Sequence, residues 1–152
     1  MFRLLAKFAA GVIAPLILVS VSSAATVPFT ERGSGTLTNV VPGHLAFAVV
    51  GRATYLGRYS TTGGNDFDEV GNVLNGQFTT TAADGATISG IYSGTYAPLP
   101  SGQVQLTVHL QWQVGTGRLA GITGEADVVA LADGVFTGAA VQTEGFGHWV
   151  LP

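Results

Sequence analysis

From Gln103 to Val114 six polar and six apolar residues alternate without a break, Gln-Val-Gln-Leu-Thr-Val-His-Leu-Gln-Trp-Gln-Val. A period of two held over twelve residues requires a strand with one buried face and one polar face. Weaker alternation recurs: Val70, Leu74, Phe78 and Ala82 share one parity, as do Ala86, Ile88, Tyr92 and Tyr96. Turn signals separate these runs, at Pro42-Gly43, Gly63-Gly64-Asn65-Asp66, Asn75-Gly76, Ala83-Asp84-Gly85, Pro98 to Gly102, Gly115-Thr116-Gly117 and Asp133-Gly134. After residue 24, 21 glycines and 17 threonines stand among 128 residues, and no segment of ten or more spaces its apolar residues as a helix does. The expected fold is therefore all-β: a single antiparallel barrel of seven or eight strands, near 34–41, 45–59, 69–82, 86–97, 103–114, 121–132, 134–143 and 145–151. Glycines inside runs, such as Gly51, Gly57, Gly90 and Gly94, mark bulges or close backbone approach. Closure is preferred to an open sheet, because a chain without lysine in this region has little to guard an exposed edge.

The N-terminus has a different character. Arg3 and Lys7 precede an uncharged stretch from Phe8 to Thr30 that is apolar to Val21 and ends in Ser22-Ser23-Ala24-Ala25. This is the layout of a secretory signal peptide, residues 1–24, cleaved after Ala24 or Ala25. Gly11 and Pro15 interrupt the apolar run and argue against a retained anchor. The expected mature chain, 25–152, is periplasmic or extracellular, with no stable membrane insertion after cleavage.

Residue absences exclude several chemistries. Beyond residue 24 there is no lysine for a Schiff base and no cysteine for a thiolate, a zinc–thiolate site, a disulfide or a lipid anchor. Four arginines, Arg32, Arg52, Arg58 and Arg118, face nine carboxylates, a net charge of −5. Scattered in sequence, they provide no basic stripe, so nucleic acid is not an expected partner. No cofactor is expected.

Three stretches in order, Thr54-Tyr55-Leu56-Gly57-Arg58-Tyr59, Ala83 to Tyr96, and Gly115-Thr116-Gly117-Arg118-Leu119-Ala120-Gly121-Ile122-Thr123-Gly124, resemble secreted bacterial proteins with an allene-oxide-cyclase-like barrel. Those are distantly similar to plant allene oxide cyclases and dirigent proteins. The resemblance covers roughly residues 45–140 and implies an eight-stranded, calycin-like antiparallel barrel, often a homotrimer in the plant relatives. It implies no chemistry. The plant cyclases place their early glutamate in a Glu-x-Asn context, whereas Glu31 is followed by Arg32-Gly33, so no catalytic residue is carried over.

Candidate sites start from ordinary roles. Arg118, in the glycine-rich loop, is expected to tether backbone carbonyls or a carboxylate such as Glu125 or Asp127, an anion held by the loop being the alternative. The cluster Asn65-Asp66-Phe67-Asp68-Glu69 reads as a solvated hairpin tip, with no metal expected. His44, His109 and His148 show no ligand spacing, and His109 belongs to the polar, outward face of its strand. Most aromatic residues should be core. Tyr55, Tyr92, Tyr96 and Trp112, with Arg118, are the candidate contacts for a small hydrophobic molecule at a barrel mouth. The apolar segment Gly145 to Pro152 suggests a closing strand or a subunit contact.

Two functions follow. One is a secreted, non-catalytic barrel that binds a small apolar molecule or self-assembles. The other is a cofactor-free isomerase or cyclase with a lumen carboxylate as its acid–base group. The two part at the barrel interior: a cavity with Glu31, Glu125 or Asp127 turned into it favours the enzyme, and a packed interior with every carboxylate in solvent excludes it.

Overall fold

The computed structural model describes residues 24–152. The expected signal peptide, apart from its last residue Ala24, lies outside the described residues. Eight strands, β1 (Ala25–Val41), β2 (His44–Ala53), β3 (Gly57–Phe67), β4 (Asn72–Ala82), β5 (Thr87–Pro98), β6 (Val104–Gly115), β7 (Thr123–Ala132) and β8 (Ala140–Leu151), form a closed barrel. Each strand pairs antiparallel with its sequence neighbours, and β1 closes on β8 from Ala25↔Leu151 to Thr36↔Ala140. The all-β, eight-stranded antiparallel barrel read from the sequence is the architecture of the chain.

Several boundaries differ from the expected ones, for local reasons. The run 45–59 is two strands, divided at Thr54-Tyr55-Leu56, where Tyr55 takes φ +68° and the Leu56 N–H reaches the Thr54 carbonyl at 2.8 Å. Gly63-Gly64-Asn65-Asp66 and Asn75-Gly76 are not turns between strands. They are bulged interiors of β3 and β4, with register shifts at Gly64/Asp66 and Val73/Gly76. The runs 134–143 and 145–151 form one strand, β8, preceded by a loop, and β1 begins nine residues before the expected position 34. The Ser89/Gly90 shift turns Val114 outward, 65% exposed, so the alternation of β6 buries Val104 and Trp112 but not its last apolar residue.

The inward parity carries the core. At one end Phe29, Trp112 and Trp149 pack as a cluster, with the two indoles stacked at 3.9 Å and the phenyl edge-on to both. Leu119 and Ile122, from the short 3-10 turn Gly117–Leu119 and the loop after it, plug this end. Leu37, Leu45, Ala132, Ala139 and Val141 form a second cluster. Inward glycines leave room for large neighbours: a Cβ on Gly63 would meet the Phe47 ring, on Gly76 the Tyr92 ring and on Gly90 the Phe78 ring, each within 2.8 Å.

Candidate functional site

Because the inward positions of β1, β2, β3 and β8 include Glu31, Gly51, Tyr59 and Thr143, the apolar lumen has one polar wall. A cavity of about 130 Å³ lies against it, lined mainly by apolar side chains such as Phe47, Val49, Phe78, Leu106, Val108 and Leu110. Glu31 is 8% exposed, the one buried charged side chain among the described residues. The Tyr59 hydroxyl donates a short hydrogen bond to Glu31 Oε2, and the Thr143 hydroxyl donates to the same oxygen at 3.3 Å. Both donors converge on Oε2, so among the described residues no side chain donates to Oε1. Room for this cluster comes from glycine: a Cβ on Gly33 would lie 2.6 Å from the Tyr59 hydroxyl, and one on Gly145 would lie 3.0 Å from Glu31 Cγ.

Burial pushes the Glu31 carboxyl above its ordinary 4.5, against the hydrogen bonds from Tyr59 and Thr143, which pull the other way, and nearby Glu144 adds to the rise. Burial, and then the facing Glu31 carboxyl, likewise hold the Tyr59 hydroxyl well above the usual phenol range. A group whose folded pKa is raised binds its proton more tightly folded than unfolded. Its contribution to stability is therefore complete below pH 4.5 and declines as pH climbs toward the folded value. Glu31→Gln cannot ionise and keeps an oxygen for Tyr59. Its stability relative to wild type is expected to rise with pH above 4.5. Urea midpoints taken across a pH series check this, and a difference that stays constant with pH overturns it.

Other interior polar groups satisfy one another. The Tyr92 hydroxyl donates to Asn65 Oδ1 at 2.9 Å, and the Thr61 and Thr80 hydroxyls lie 2.7 Å apart. Asn65, read from sequence as part of a hairpin tip, is in fact 2% exposed inside the barrel. Of its neighbours in that cluster, Phe67 packs against the second core cluster, whereas the two aspartates face outward. Asp66 accepts from Asn75 and lies 2.9 Å from His44 Nδ1, while Asp68 accepts from the Val70 and Asn72 backbone and from the Asn72 amide.

The five residues singled out for ligand contact separate in space. Tyr92 and Trp112 line the cavity. Tyr96 sits toward the other end, packed edge-on against Phe67 with its hydroxyl on the Asp68 carbonyl. Tyr55 lies on the rim, 43% exposed. Arg118 is outside the barrel, where Nε meets Asp84 at 2.5 Å, Nη1 the Tyr55 carbonyl at 2.8 Å and Nη2 the Leu56 carbonyl at 3.1 Å. It ties three turns at one end of the barrel, the tether expected of it but with Asp84 as the carboxylate rather than Glu125 or Asp127. That carboxyl is held below its ordinary range by the Arg118 hydrogen bond.

His109 is outward, with Nδ1 2.9 Å from Asp127 and Nε2 3.5 Å from Glu125, and the Asp127 hydrogen bond pushes it above its ordinary 6.5. Glu125 and Asp127 are thereby placed on the surface, leaving Glu31 as the carboxyl at the lumen. Sequence reasoning weighed Glu31 among three lumen carboxyls and passed over Tyr59 and Thr143 as its partners. The available signal was a lone acid on β1 opposite strands with glycine at the matching inward positions. No family model, curated protein or solved structure matches the chain.

Proposed function

We propose that the chain is a secreted barrel that encloses a small apolar molecule, held by the hydrocarbon lining and oriented by one polar contact, the Glu31 carboxyl. The observation that carries this reading is the cavity of about 130 Å³ between two packed ends of the barrel, with Glu31 and Tyr59 at its wall. An apolar cavity of roughly 150 Å³ holds benzene, so the fitting ligand is a single ring with one hydrogen-bonding substituent. Trp112, in the cavity wall, supplies an intrinsic reporter.

Titration of the purified protein with toluene and with p-cresol, followed by tryptophan fluorescence, is expected to saturate for both. Val108→Phe fills the cavity and abolishes both titrations with the circular dichroism spectrum unchanged. Glu31→Gln leaves toluene binding intact and weakens p-cresol several-fold. A Val108→Phe protein that still binds as wild type overturns the reading.

One observation favours a second reading, a cofactor-free isomerase or cyclase: a buried carboxyl with a raised proton affinity stands at an apolar cavity, the arrangement that general acid–base catalysis needs. Incubation with acetophenone in heavy water tests it. Exchange of the methyl protons, catalysed by wild type and lost in Glu31→Gln, supports proton transfer at this site. Equal rates in the two proteins leave a binding protein alone.

A further inference from the structure

Three of the four arginines beyond residue 24, scattered in sequence, are brought into one row by the register. Arg32 on β1 is paired with Arg52 on β2, and Arg52 with Arg58 on β3. All three side chains are outward and exposed. Neighbouring strands lie about 4.8 Å apart, so the backbone positions of the three arginines follow one another at about that interval across the barrel wall, with the Arg32 guanidinium turned to Glu144 on β8. Like charges placed directly opposite one another across strands destabilise a sheet. A chain that carries nine carboxylates and only four arginines in this region nevertheless spends three of them this way. Among the described residues, the arginine ion pairs are Arg32 with Glu144 at 2.8 Å and Arg118 with Asp84, so Arg52 and Arg58 have no carboxylate partner.

The row lies in an open groove over the outer face of these strands, between the exposed Val50 on one side and Phe146 on the other, with Ser34, Thr30, Thr54 and Glu144, the last neutralised by Arg32, also at its walls. We propose that this groove binds a linear acidic oligosaccharide, its carboxylates on Arg52 and Arg58 and its ring faces on Phe146 and Val50. Charge complementarity fixes the sign of the occupant, and the planar guanidinium fork suits carboxylate oxygens taken two at a time. Hydroxyl-bearing walls suit a polymer that carries hydroxyls between its charges. Nucleic acid fits less well, because single strands need successive aromatic platforms and this groove has one exposed ring.

The test is calorimetric titration of the purified protein with hexagalacturonate at low ionic strength, beside maltohexaose, single-stranded oligonucleotide and vesicles of anionic phospholipid. Hexagalacturonate is expected to bind with an affinity that falls as salt is added, and maltohexaose not to bind. Arg52→Gln combined with Arg58→Gln should weaken binding at least tenfold and flatten the salt dependence, with a urea midpoint equal to or above wild type because the like-charge row is relieved. No binding of hexagalacturonate, an undiminished affinity in the double variant, or tighter arginine-dependent binding of the oligonucleotide or the vesicles overturns the proposal.

Discussion

Trp149→Ala is expected to lower the unfolding free energy by about 3–5 kcal/mol, read as a shift of the urea midpoint at constant slope. Trp149 is fully buried. Its ring stacks on Trp112 at 3.9 Å, meets Phe29 edge-on at 5.2 Å, and its indole N–H donates to the Thr54 carbonyl at 3.3 Å. Truncation removes a large apolar area, breaks the aromatic contacts with Trp112, Phe29 and Tyr55 and leaves the carbonyl at the β2–β3 turn without this donor. The ring partners Phe29 and Trp112 cannot move in to refill the space, because each belongs to a strand paired on both sides. A loss below 1 kcal/mol would show that this end of the barrel is not the cohesive core that the stacking implies.

A second large effect is expected from a single methyl group. A Cβ on Gly51 would lie 2.3 Å from the Arg32 carbonyl oxygen, 2.7 Å from Gly33 Cα and 2.8 Å from the Tyr59 hydroxyl. The first two are backbone atoms of β1, which is hydrogen-bonded to both β2 and β8, so the obstruction cannot rotate aside. Gly51→Ala should cost about 1–3 kcal/mol, the usual range for overpacking, and should displace Tyr59 from Glu31. Val50→Ala, one position away at an outward, 60% exposed site, is the control and should stay within about 0.5 kcal/mol of wild type. Equal urea midpoints for the two variants would refute the close approach of β1 and β2.

The same geometry explains what could be read from the sequence. Strand β6 was legible because its inward side chains, from Val104 to Trp112, are all apolar and its outward ones polar. Strand β3 was not. Its inward residues Tyr59, Thr61, Gly63 and Asn65 form the polar and glycine-lined part of the lumen, so the apolar half of the alternation is missing and Gly63-Gly64-Asn65-Asp66 takes the appearance of a turn. Strand β1 was missed over residues 25–33 for a related reason, since Glu31 and Gly33 occupy inward positions where a hydrophobic residue would have revealed the period. The site was thus hidden by the substitutions that create it: a carboxyl, a phenol and small residues in place of core aliphatics. Tyr92 and Trp112 were reachable because a large aromatic ring on an inward parity must face the interior. The alignment of Arg32, Arg52 and Arg58 depends on strand register, which only the pairing of distant segments specifies.

Closure of β1 on β8 has a kinetic meaning. The partners Ala25 and Leu151 stand at the two ends of the described chain, so the seam between them is the longest loop the polypeptide must close. The other strand pairs are hairpins between consecutive strands, available as soon as each is made. Contacts of such wide sequence separation slow folding, and until the seam forms, an otherwise paired sheet exposes β1 and β8 as two free edges. The interval before closure is therefore when self-association competes with folding. Refolding yield should depend on protein concentration during that interval alone, becoming insensitive once the first and last strands have met.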